Sequence, residues 1–587
     1  MEYIKVVDVY EKISETTKRL EMTDYLVDLF KSTPPEIIDK VVYLSQGKIY
    51  PDFVGTELGV GEKVTLKAIS FASGHKESDV KKKLQELGDI GLVAQHFIER
   101  KKQMSLFTKP LTVERVYSNF ESIAKASGGG AVDLKIKLLA DLLHDSKPVE
   151  AKYIVRIVNG RLRMGIADMT ILDALAIAFA RKEQRDIIER AYNLYPDLGW
   201  IASVLAKEGI EGVKKIKIKV GVPIRAMLAE RLSSIEEIFE KMGGKCAFEY
   251  KYDGLRIQAH IAKDGNITLF SRRLENLTSQ FPDVSDAVRN AFKAREAVVE
   301  GECVPVNIHT GEMMPFQFIA HRRGRKYGIE KAMEEYPVVL FLFDCMYLDG
   351  KELVGENYLN RRKALQKAFK ETDRVKFSKV LITDRVDEAE KFFQEAIEVG
   401  CEGLVAKSIA DGSIYRAGAR GWLWIKYKRD YRSEMLDTVD LVVVGAFAGH
   451  GRRAGTYGAL LMAAYNEKED VFETVCKLGT GFDDETLFSL PDRFKDYQIP
   501  HRDARVKSNI EADYWFVPKV VMEVGGAEIT LSPVHTCAFG TIREGAGLAI
   551  RFPRFTGRWR DDKKAEDATT IEEIIEMYKA QLKKVES

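Results

Sequence analysis

The sequence predicts a multidomain protein with an all-α N-terminal domain, an α+β central domain and a C-terminal β-barrel. The chain has 587 residues, enough for roughly three or four domains of about 150 residues. Apolar residues recur at helical spacing up to about residue 215, and alternating strands with tight turns take over from Ala247. Beyond about Ser433 short strands follow one another closely, as in a small barrel. We therefore place the domains at 1–215, 216–433 and 434–587.

Amphipathic segments predict the helices of the N-terminal domain. Apolar residues repeat at helical spacing in 132–145, 150–165 and 169–180, and glycine-bearing turns separate these segments. After residue 33 another helix is expected, with Thr33 as its N-cap and Glu36 completing a capping box.

Short turns between strands predict a largely antiparallel central domain. In "EYKYDGLRIQAH" (249–260) two strands meet at Asp253-Gly254 in the pattern of a hairpin. Helical segments at 358–371 and 385–400 interleave with the strands.

A final amphipathic helix is predicted after the barrel strands. It begins at a second capping box, formed by Thr570 and Glu573. Its apolar face needs a surface on which to dock, and consists of Ile571, Ile574, Ile575, Tyr578 and Leu582.

Composition excludes several classes of protein. Lys and Arg number 90 against 89 Asp and Glu, so a net charge of +1 gives no global signature of nucleic-acid binding. Any such binding requires positive charge sorted onto local faces. The six cysteines lack a C-x-x-C pair, which argues against a zinc site or a disulfide framework and predicts core residues. The longest apolar run, 338–343, is too short for a bilayer span and the N-terminus lacks a signal peptide, so a cytoplasmic location is expected.

Lys251 stands on a predicted strand, with Glu249 and Asp253 on either side. A lone K-x-D-G is more often a solvated turn lysine than a nucleophile at the mouth of a pocket. Its companions along the chain decide between the two readings. Arg272 follows a predicted strand, and Glu300 and Glu302 share one face of another. Phe343 is an aromatic residue that could stack on a base. The segment "CEGLVAKS" pairs Glu402 with Lys407, and Lys426 and Lys428 point to one side of the strand that follows it.

These companions indicate phosphate chemistry. Two lysines on one strand face require an anion, for which phosphate is the natural partner. The same crowd of cations would favour a neutral Lys251 amine that can attack. The carboxylates of Glu302 and Glu402 could hold Mg²⁺, which prefers oxygen ligands.

The ordered series "KYDGLR", "SRRLE", "EGE", "FDCMYLDG", "EGLVAK", "WIKYK" and "RDDK" resembles the motif set of the ATP-dependent DNA ligases. This family belongs to the covalent nucleotidyltransferases, together with RNA ligases and mRNA capping enzymes. The segment 138–176 resembles the DNA-binding domain of archaeal and eukaryotic replicative ligases, and 551–570 resembles their closing motif. The match is with the archaeal replicative type, which implies an OB-fold for the barrel.

The resemblance implies a reaction in which Lys251 attacks the α-phosphate of ATP to form a covalent lysyl-AMP. The AMP then passes to the 5′-phosphate of a nick in duplex DNA, and the 3′-hydroxyl displaces it in replication, repair and recombination. ATP and Mg²⁺, or Mn²⁺ in its place, are the implied cofactors. The implied roles are adenine recognition by Glu249, stacking by Phe343, contacts on the ribose and phosphate side by Arg256, Arg272 and Glu302, metal binding by Glu302 and Glu402, and phosphate binding by Arg420, Lys426, Lys428, Arg560 and Lys563.

One departure and one possible partner accompany the resemblance. Relatives often carry Asp where this chain has Glu300, so the role of Glu300 stays open. The peptide "KKQMSLFTK" (101–109) resembles a sliding-clamp-binding segment, with Gln103, Leu106 and Phe107 as its contacts, or is an ordinary loop between helices. A monomer is expected.

Three other readings compete. An RNA ligase or capping-type nucleotidyltransferase shares Lys251 but does not explain the helical domain. An NAD⁺-dependent ligase would carry a four-cysteine zinc site, which the cysteine pattern argues against. A non-catalytic DNA clamp leaves the carboxylates and paired lysines without a purpose.

Overall fold

The computed structural model describes most of the chain and divides it into two compact units, Met1–Lys426 and Tyr427–Ser587. The residues that it describes are 1–102, 109–160, 162–306, 313–314, 316, 319, 322, 328–335, 337–428, 438–449, 453–526, 528–532, 534–551 and 553–586.

Helices occupy the N-terminal part of the first unit, as predicted. One hydrophobic core, which extends from Tyr3 to Ile216, joins them. The helices are α1 (Tyr3–Ser14), α2 (Arg19–Ser32), α3 (Ile38–Ser45), α4 (Glu62–Ser73), α5 (Glu77–Leu87), α6 (Ile90–Glu99), α7 (Val113–Lys125), α8 (Ala131–Asp145), α9 (Pro148–Val158), α10 (Asp168–Phe179), α11 (Arg185–Leu194) and α12 (Leu198–Lys214), with 3₁₀ turns at Asp52–Val54 and Lys182–Gln184.

The predicted N-cap at Thr33 is wrong. Thr33 lies at the C-terminal end of α2, where its hydroxyl donates a hydrogen bond to the Leu29 carbonyl at 2.7 Å. The next helix begins only at Ile38. Because Pro34 follows Thr33 and Pro35 follows in turn, the backbone here is biased away from helix, which moves the helix start beyond Glu36.

Two sheets form the central part of the first unit. One has the strand order β1-β11-β10-β2-β9, and the other has the order β4-β3-β5-β6-β7 with β8 beside β6. The strands are β1 (Leu228–Arg231), β2 (Cys246–Lys251), β3 (Leu255–Ile261), β4 (Ile267–Ser271), β5 (Ala297–Pro305), β6 (Val338–Leu348), β7 (Lys351–Glu352), β8 (Val375–Phe377), β9 (Val380–Thr383), β10 (Gly403–Ser408) and β11 (Arg420–Lys428).

Helices accompany these sheets and confirm the α+β prediction. They are α13 (Ile235–Met242), α14 (Pro282–Ala291), α15 (Ile329–Glu335), α16 (Tyr358–Ala368) and α17 (Val386–Glu398), with a 3₁₀ turn at Thr278–Gln280.

The strands on either side of Asp253-Gly254 do not form the predicted hairpin. Strand β2 pairs with β10 and β9, whereas β3 pairs with β4 and β5, so the turn carries the chain from one sheet to the other. The turn lies close to β5, because a Cβ on Gly254 would stand 2.4 Å from the carbonyl oxygen of Cys303. A side chain is therefore excluded at position 254. Lys251 ends β2 just before this turn, at the point where the chain passes from one sheet to the other.

The second unit contains a curled sheet, as the OB-fold prediction requires. Strand β12 pairs with β13, β17 and β18 along its length, and β18 continues to β21. The strands are β12 (Val439–Ala448), β13 (Tyr457–Asn466), β14 (Val471–Leu478), β15 (Gln498–Ile499), β16 (Val506–Lys507), β17 (Tyr514–Phe516), β18 (Val521–Gly525), β19 (Glu528–Ser532), β20 (Gly547–Arg551) and β21 (Arg554–Trp559), with 3₁₀ turns at Lys495–Tyr497 and Ala565–Asp567.

Among the described residues of the second unit two α-helices accompany the barrel, and the sequence predicted one of them. Helix α18 (Asp484–Phe494) was missed, although Asp483 caps it by accepting a hydrogen bond from the Thr486 amide at 2.7 Å. Pro491 within this segment conceals the helical pattern.

The final helix, α19 (Ile571–Glu586), begins at the predicted capping box. The Thr570 amide donates to Glu573 at 2.7 Å, and the Glu573 amide donates to the Thr570 hydroxyl at 3.2 Å. Ile571 and Ile574 are buried in the barrel core, and Ile575 and Tyr578 pack against it. The side chain of Leu582 lies outside the described residues.

All six cysteines are buried, as predicted for core residues. Burial raises the pKa of the Cys246 and Cys401 thiols to about 12. Among the described residues, no helix is long and apolar enough to cross a membrane.

Candidate active site

Lys251 lies at the end of β2, opposite Gly403 of β10. Its Nζ donates a hydrogen bond to Oε2 of Glu402, and the Glu402 amide donates to the Lys251 carbonyl at 2.8 Å. Both side chains are about a quarter exposed, at 25% and 29%. The antiparallel register thus joins Lys251 to Glu402, 151 residues along the chain, and leaves the amine accessible from one side.

Two further carboxylates surround this pair. Burial raises the pKa of Glu302 to about 7, with Lys251 and Arg256 opposing the shift and Glu402 adding to it. Burial and the Glu402 carboxylate raise the pKa of Asp253, which also accepts a hydrogen bond from the Phe316 amide at 3.1 Å. The sequence predicted cations around Lys251, but the side chain that its amine contacts is the carboxylate of Glu402.

Glu249 is buried two residues before Lys251 and is held by three donors. Its Oε1 accepts hydrogen bonds from the Tyr358 hydroxyl and, at 3.2 Å, from Arg362. Its Oε2 lies 3.1 Å from Nζ of Lys407. These donors compensate the cost of burying the carboxylate.

Lys407 pairs with Glu249 and not with Glu402. Strand alternation explains the difference, because Lys407 in β10 stands opposite Ala247 and diagonally beside Glu249 of β2. Burial lowers the pKa of the Lys407 ammonium, and the carboxylates of Glu249 and Asp344 act in the opposite direction. Three aromatic rings surround Nζ of Lys407, at centroid distances of 4.8 Å for Phe343, 5.1 Å for Tyr358 and 4.5 Å for Trp424.

Arg256 lies on β3 beside Phe343. It donates hydrogen bonds to Glu300 at 2.6 Å and to the Met227 carbonyl at 2.9 Å. Its guanidinium carbon lies 5.3 Å from the centroid of Phe343 and 5.5 Å from that of Trp424. The charge of Arg256 is thus fixed next to the ring that is predicted to stack on the base.

Glu300 anchors this arginine. It is buried, and it also accepts hydrogen bonds from Tyr415 at 2.8 Å and from Gln258 at 3.3 Å. The Tyr415 hydroxyl in turn accepts a hydrogen bond from the Met227 amide at 3.0 Å. The Glu300 carboxylate therefore accepts from three donors at once, namely Arg256, Tyr415 and Gln258.

Further predicted phosphate ligands are distributed over both sheets of the central part. Arg272 follows β4, and Arg420, Lys426 and Lys428 lie on β11. Partial desolvation lowers the pKa of Arg272, and the charges of Arg256 and Arg420 lower it further. Arg272 therefore lies within electrostatic reach of both Arg256 and Arg420.

Arg560 and Lys563 follow β21 in the second unit. Both are paired with Asp440 of β12, at 2.6 Å for Arg560 and 2.7 Å for Lys563. Arg560 also contacts Asp562 at 2.8 Å. One carboxylate thus holds both cations of the closing motif.

The predicted clamp-binding contacts Gln103, Leu106 and Phe107 lie outside the described residues.

Sequence reasoning missed several residues that support the site. Tyr358, Arg361 and Arg362 lie on α16, and Tyr415 lies in the segment before β11. Arg361 donates to both carboxylate oxygens of Asp344, at 2.7 and 3.1 Å, and both side chains are buried. The adjacent arginines in an otherwise amphipathic helix were the available signal, because a charged pair on the buried side needs partners.

Glu302 and Glu402 are the carboxylates at this site that could hold a metal ion. Among the described residues, no group of three or more His, Cys, Asp or Glu side chains is arranged to hold a metal ion. Glu302 and Glu402 nevertheless lie near each other and near Lys251. Mg²⁺ is commonly bound by one or two carboxylates together with substrate phosphates, so this donor set fits it.

Comparisons with known proteins agree along the whole chain. Family profiles match at residues 2–176 ("DNA ligase N terminus"), 226–428 ("ATP dependent DNA ligase domain") and 453–563 ("ATP dependent DNA ligase C terminal region"). DNA ligase 2 of Thermofilum pendens is 58% identical over 99% of this chain and 98% of its own length. The DNA ligase of Thermoplasma volcanium is 52% identical over 99% of both chains. The solved structure titled "Pmar-Lig_Pre." shares the fold, with a TM-score of 0.55 at 16% identity over 95% of this chain and 99% of its own.

Proposed function

The chain belongs to the ATP-dependent DNA ligases, and from this we propose how its residues seal a nick in duplex DNA. The observation that carries the proposal is the position of Lys251. It ends β2 at the junction of two sheets, and its amine is hydrogen-bonded to Glu402. Glu249, two residues earlier on the same strand, pairs with Lys407 of the neighbouring strand β10. An inert turn lysine would need neither this carboxylate nor the buried ion pair beside it. The alternative of an RNA ligase or capping enzyme is not favoured, because the N-terminal match is also to a DNA ligase.

In the first step the Lys251 amine attacks the α-phosphorus of ATP. An N–P bond forms, the bond from phosphorus to the pyrophosphate oxygen breaks, and pyrophosphate leaves. The ammonium must first lose a proton, and Glu402 is the acceptor in contact with it. Arg272, Arg420, Lys426 and Lys428 would neutralise the phosphates, while Phe343 would stack on the adenine and Glu249 would accept from its amino group.

In the later steps the AMP moves to the 5′-phosphate of the nick, and the 3′-hydroxyl displaces it. Each step is an in-line displacement at phosphorus, so positioning and charge neutralisation supply most of the catalysis. Mg²⁺, with Mn²⁺ as a substitute, would supply further neutralisation of the phosphate charge, held by Glu302 and Glu402. We expect the enzyme to act in replication, repair and recombination.

A labelling experiment tests the proposal. The protein is incubated with ATP or GTP labelled at the α-phosphate, and an acid-labile covalent label is measured. We expect labelling by ATP and transfer of the label to a nicked DNA duplex. Labelling by GTP, or sealing of nicked RNA alone, would instead support a capping enzyme or an RNA ligase.

Arg560 and Lys563 are proposed to orient the departing pyrophosphate. Replacing both by alanine is expected to slow formation of the Lys251 adduct by about 100-fold or more, since two charges that meet the leaving group are lost. Sealing of a nick that already carries AMP should change much less. Both steps are measured in single-turnover assays.

The matched control is the double alanine variant of Arg505 and Lys507, two half-exposed cations of the same unit. This control should leave adduct formation unchanged. Near-normal adduct formation with weakened sealing in the Arg560–Lys563 variant would instead indicate binding to duplex phosphates. Equal loss in both steps would argue against both roles. It would indicate instead that the barrel is destabilised when Asp440 loses both of its partners.

The segment 101–109 is proposed to bind a sliding clamp through Gln103, Leu106 and Phe107. Phe107→Ala should reduce recovery of the protein by immobilised clamp at least tenfold, as expected for an apolar anchor. Phe71→Ala is the control, because Phe71 is an exposed phenylalanine of the helical region. Equal recovery of both variants would identify the segment as an ordinary loop.

We also propose that the protein acts as a monomer with domains at 1–215, 216–433 and 434–587. The end of α12 at Lys214 and the family matches at 2–176, 226–428 and 453–563 support these boundaries.

A further inference from the structure

The linker, residues 216–227, runs from the end of α12 in the helical region to the start of β1 in the central sheets. The structure describes every residue of this range, and none of them belongs to a helix or a strand. A small hydrophobic core beside the linker nevertheless buries the side chains of Ile218, Ile224 and Met227. Buried backbone groups need hydrogen-bond partners, so the linker must find them outside regular secondary structure.

One face of β3 supplies several of these partners. Side chains alternate along a strand, so Arg256, Gln258 and His260 share a face. The Arg256 guanidinium donates to the Met227 carbonyl at 2.9 Å, and Nδ1 of His260 accepts from the Gly221 amide at 3.1 Å. The polar face of this strand is therefore matched to the backbone of the linker, with Gln258 at its centre.

Gln258 is buried and uses the full hydrogen-bonding capacity of its amide. Its Oε1 accepts from the Ile224 amide at 2.7 Å and from Nε2 of His260 at 2.8 Å. Its Nε2 donates to the Ile224 carbonyl at 3.0 Å and to Oε1 of Glu300 at 3.3 Å. Because the Gly221 amide donates to Nδ1 of His260, the ring proton lies on Nε2, and burial lowers the pKa of this imidazole to about 3. Four contacts thus fix the orientation of the Gln258 amide.

These bonds close a ring that includes the side chain of Arg256. Arg256 donates to Glu300, which accepts in turn from Gln258. Gln258 also holds both backbone groups of Ile224 in the linker. Further along the linker, the Met227 carbonyl accepts from Arg256 and completes the ring. Arg256 is assigned to the ribose and phosphate side of the nucleotide, where a charge acts best if its position is fixed in advance.

We propose that Gln258 is a positioning residue for Arg256 and acts through the linker and Glu300. The inference rests on the proposed function and adds to it a residue that acts on Arg256 rather than on the nucleotide. Without the Gln258 amide, both backbone groups of Ile224 lose their partner, and Glu300 loses one of its donors. Two of the groups that hold the Arg256 guanidinium would then no longer be fixed in place.

A double-mutant cycle tests this route. The changes are Gln258→Met, which keeps an unbranched side chain of similar length, and Arg256→Ala. The measured quantity is kcat/KM for ATP in formation of the Lys251 adduct. Gln258→Met should lower it by about tenfold or more, since buried polar groups lose their partners. In the Arg256→Ala background the same change should lower it by less than about twofold, because the residue through which Gln258 acts is absent.

The matched control is Glu352→Met. Glu352 also anchors the linker, by accepting from the Ile218 amide at 2.6 Å, but it lies outside the ring. This variant should keep kcat/KM within about twofold of the native value. Hydrogen exchange should become faster at the Ile218 amide in Glu352→Met and at the Ile224 amide in Gln258→Met. Equal losses of kcat/KM in the two variants would show that any anchor of the linker has the same effect, which would overturn the inference.

The outcomes distinguish the inference from the function on which it rests. Absence of an adduct with ATP in the native enzyme would overturn the proposed function. An unchanged kcat/KM in Arg256→Ala would remove the role of Arg256 and the inference with it. If the losses from Gln258→Met and Arg256→Ala multiply in the double variant, Gln258 acts independently, and the inference alone is overturned.

A second variant covers the case in which Gln258→Met fails to fold. Gln258→Glu keeps the oxygen that accepts from Ile224 and His260, but its carboxylate has no donor for Glu300. It takes the same place in the cycle with Arg256→Ala. A loss that disappears in the Arg256→Ala background supports the inference, and a loss that persists there in full overturns it.

Discussion

Replacement of Lys251 by alanine will abolish the covalent adduct with AMP. The variant keeps the strand and its partners in β10 but lacks the nucleophile, and no step can replace the missing N–P bond. We expect labelling by α-labelled ATP to fall to background, on the order of a 10⁴-fold loss or more. The measurement is the acid-labile label on the protein after incubation with ATP.

Sealing of a nick that already carries AMP is the internal control. This reaction needs no attack by Lys251, so the variant should retain a large part of it. Lys263→Ala, a change at an exposed lysine of the same domain, should retain full labelling. Labelling of Lys251→Ala at the native level would show that another residue is the nucleophile.

Replacement of Arg361 by methionine will destabilise the adenylation domain by about 3–5 kcal/mol. Arg361 is buried and donates to both oxygens of Asp344, at 2.7 and 3.1 Å. It also donates to the carbonyls of Glu356 and Ser413, at 2.7 Å in both cases. Its loss leaves a buried carboxylate and two carbonyls without their donors. Hydrogen exchange of the amides in β6 and α16 measures the local free energy of unfolding.

The matched control is Arg385→Met in the same domain. Arg385 also pairs with an aspartate, Asp387, but both side chains are more than 60% exposed. Its loss should therefore leave the free energy of unfolding essentially unchanged, because solvent screens an exposed pair. A loss below about 1 kcal/mol in Arg361→Met would show that solvent reaches Asp344 and compensates its charge.

Local features of the site could be predicted from the sequence, whereas contacts between strands that are distant in the chain could not. The prediction that Glu300 and Glu302 share one face of β5 needs only the alternation of side chains within a single strand. The contact between Lys251 and Glu402, and that between Glu249 and Lys407, depend on the register of β2 against β10. More than 150 residues separate these strands, and no local pattern specifies how they align.

The predicted hairpin and the missed tyrosine also depend on contacts between distant parts of the chain. Two strands joined at Asp253-Gly254 fit a hairpin, but the neighbouring β5 decides that they enter different sheets. Tyr415 has no motif of its own, and its role follows from meeting Glu300 and the Met227 amide in space. Local signals therefore indicated the proposed nucleophile, whereas the residues that hold its surroundings in place required the fold.

The burial of every native thiol has a practical consequence for fluorescence studies. Thiol-reactive dyes attack the thiolate, and all six cysteines are shielded from it by burial. A cysteine placed at Lys263, in the first unit, and another at Lys468, in the second, would be exposed, since these side chains are 70% and 80% accessible. Such a double variant can carry a donor and acceptor dye without removal of any native cysteine. Energy transfer between the dyes would then follow the separation of the two units, in single molecules, as ATP and nicked DNA are added in turn.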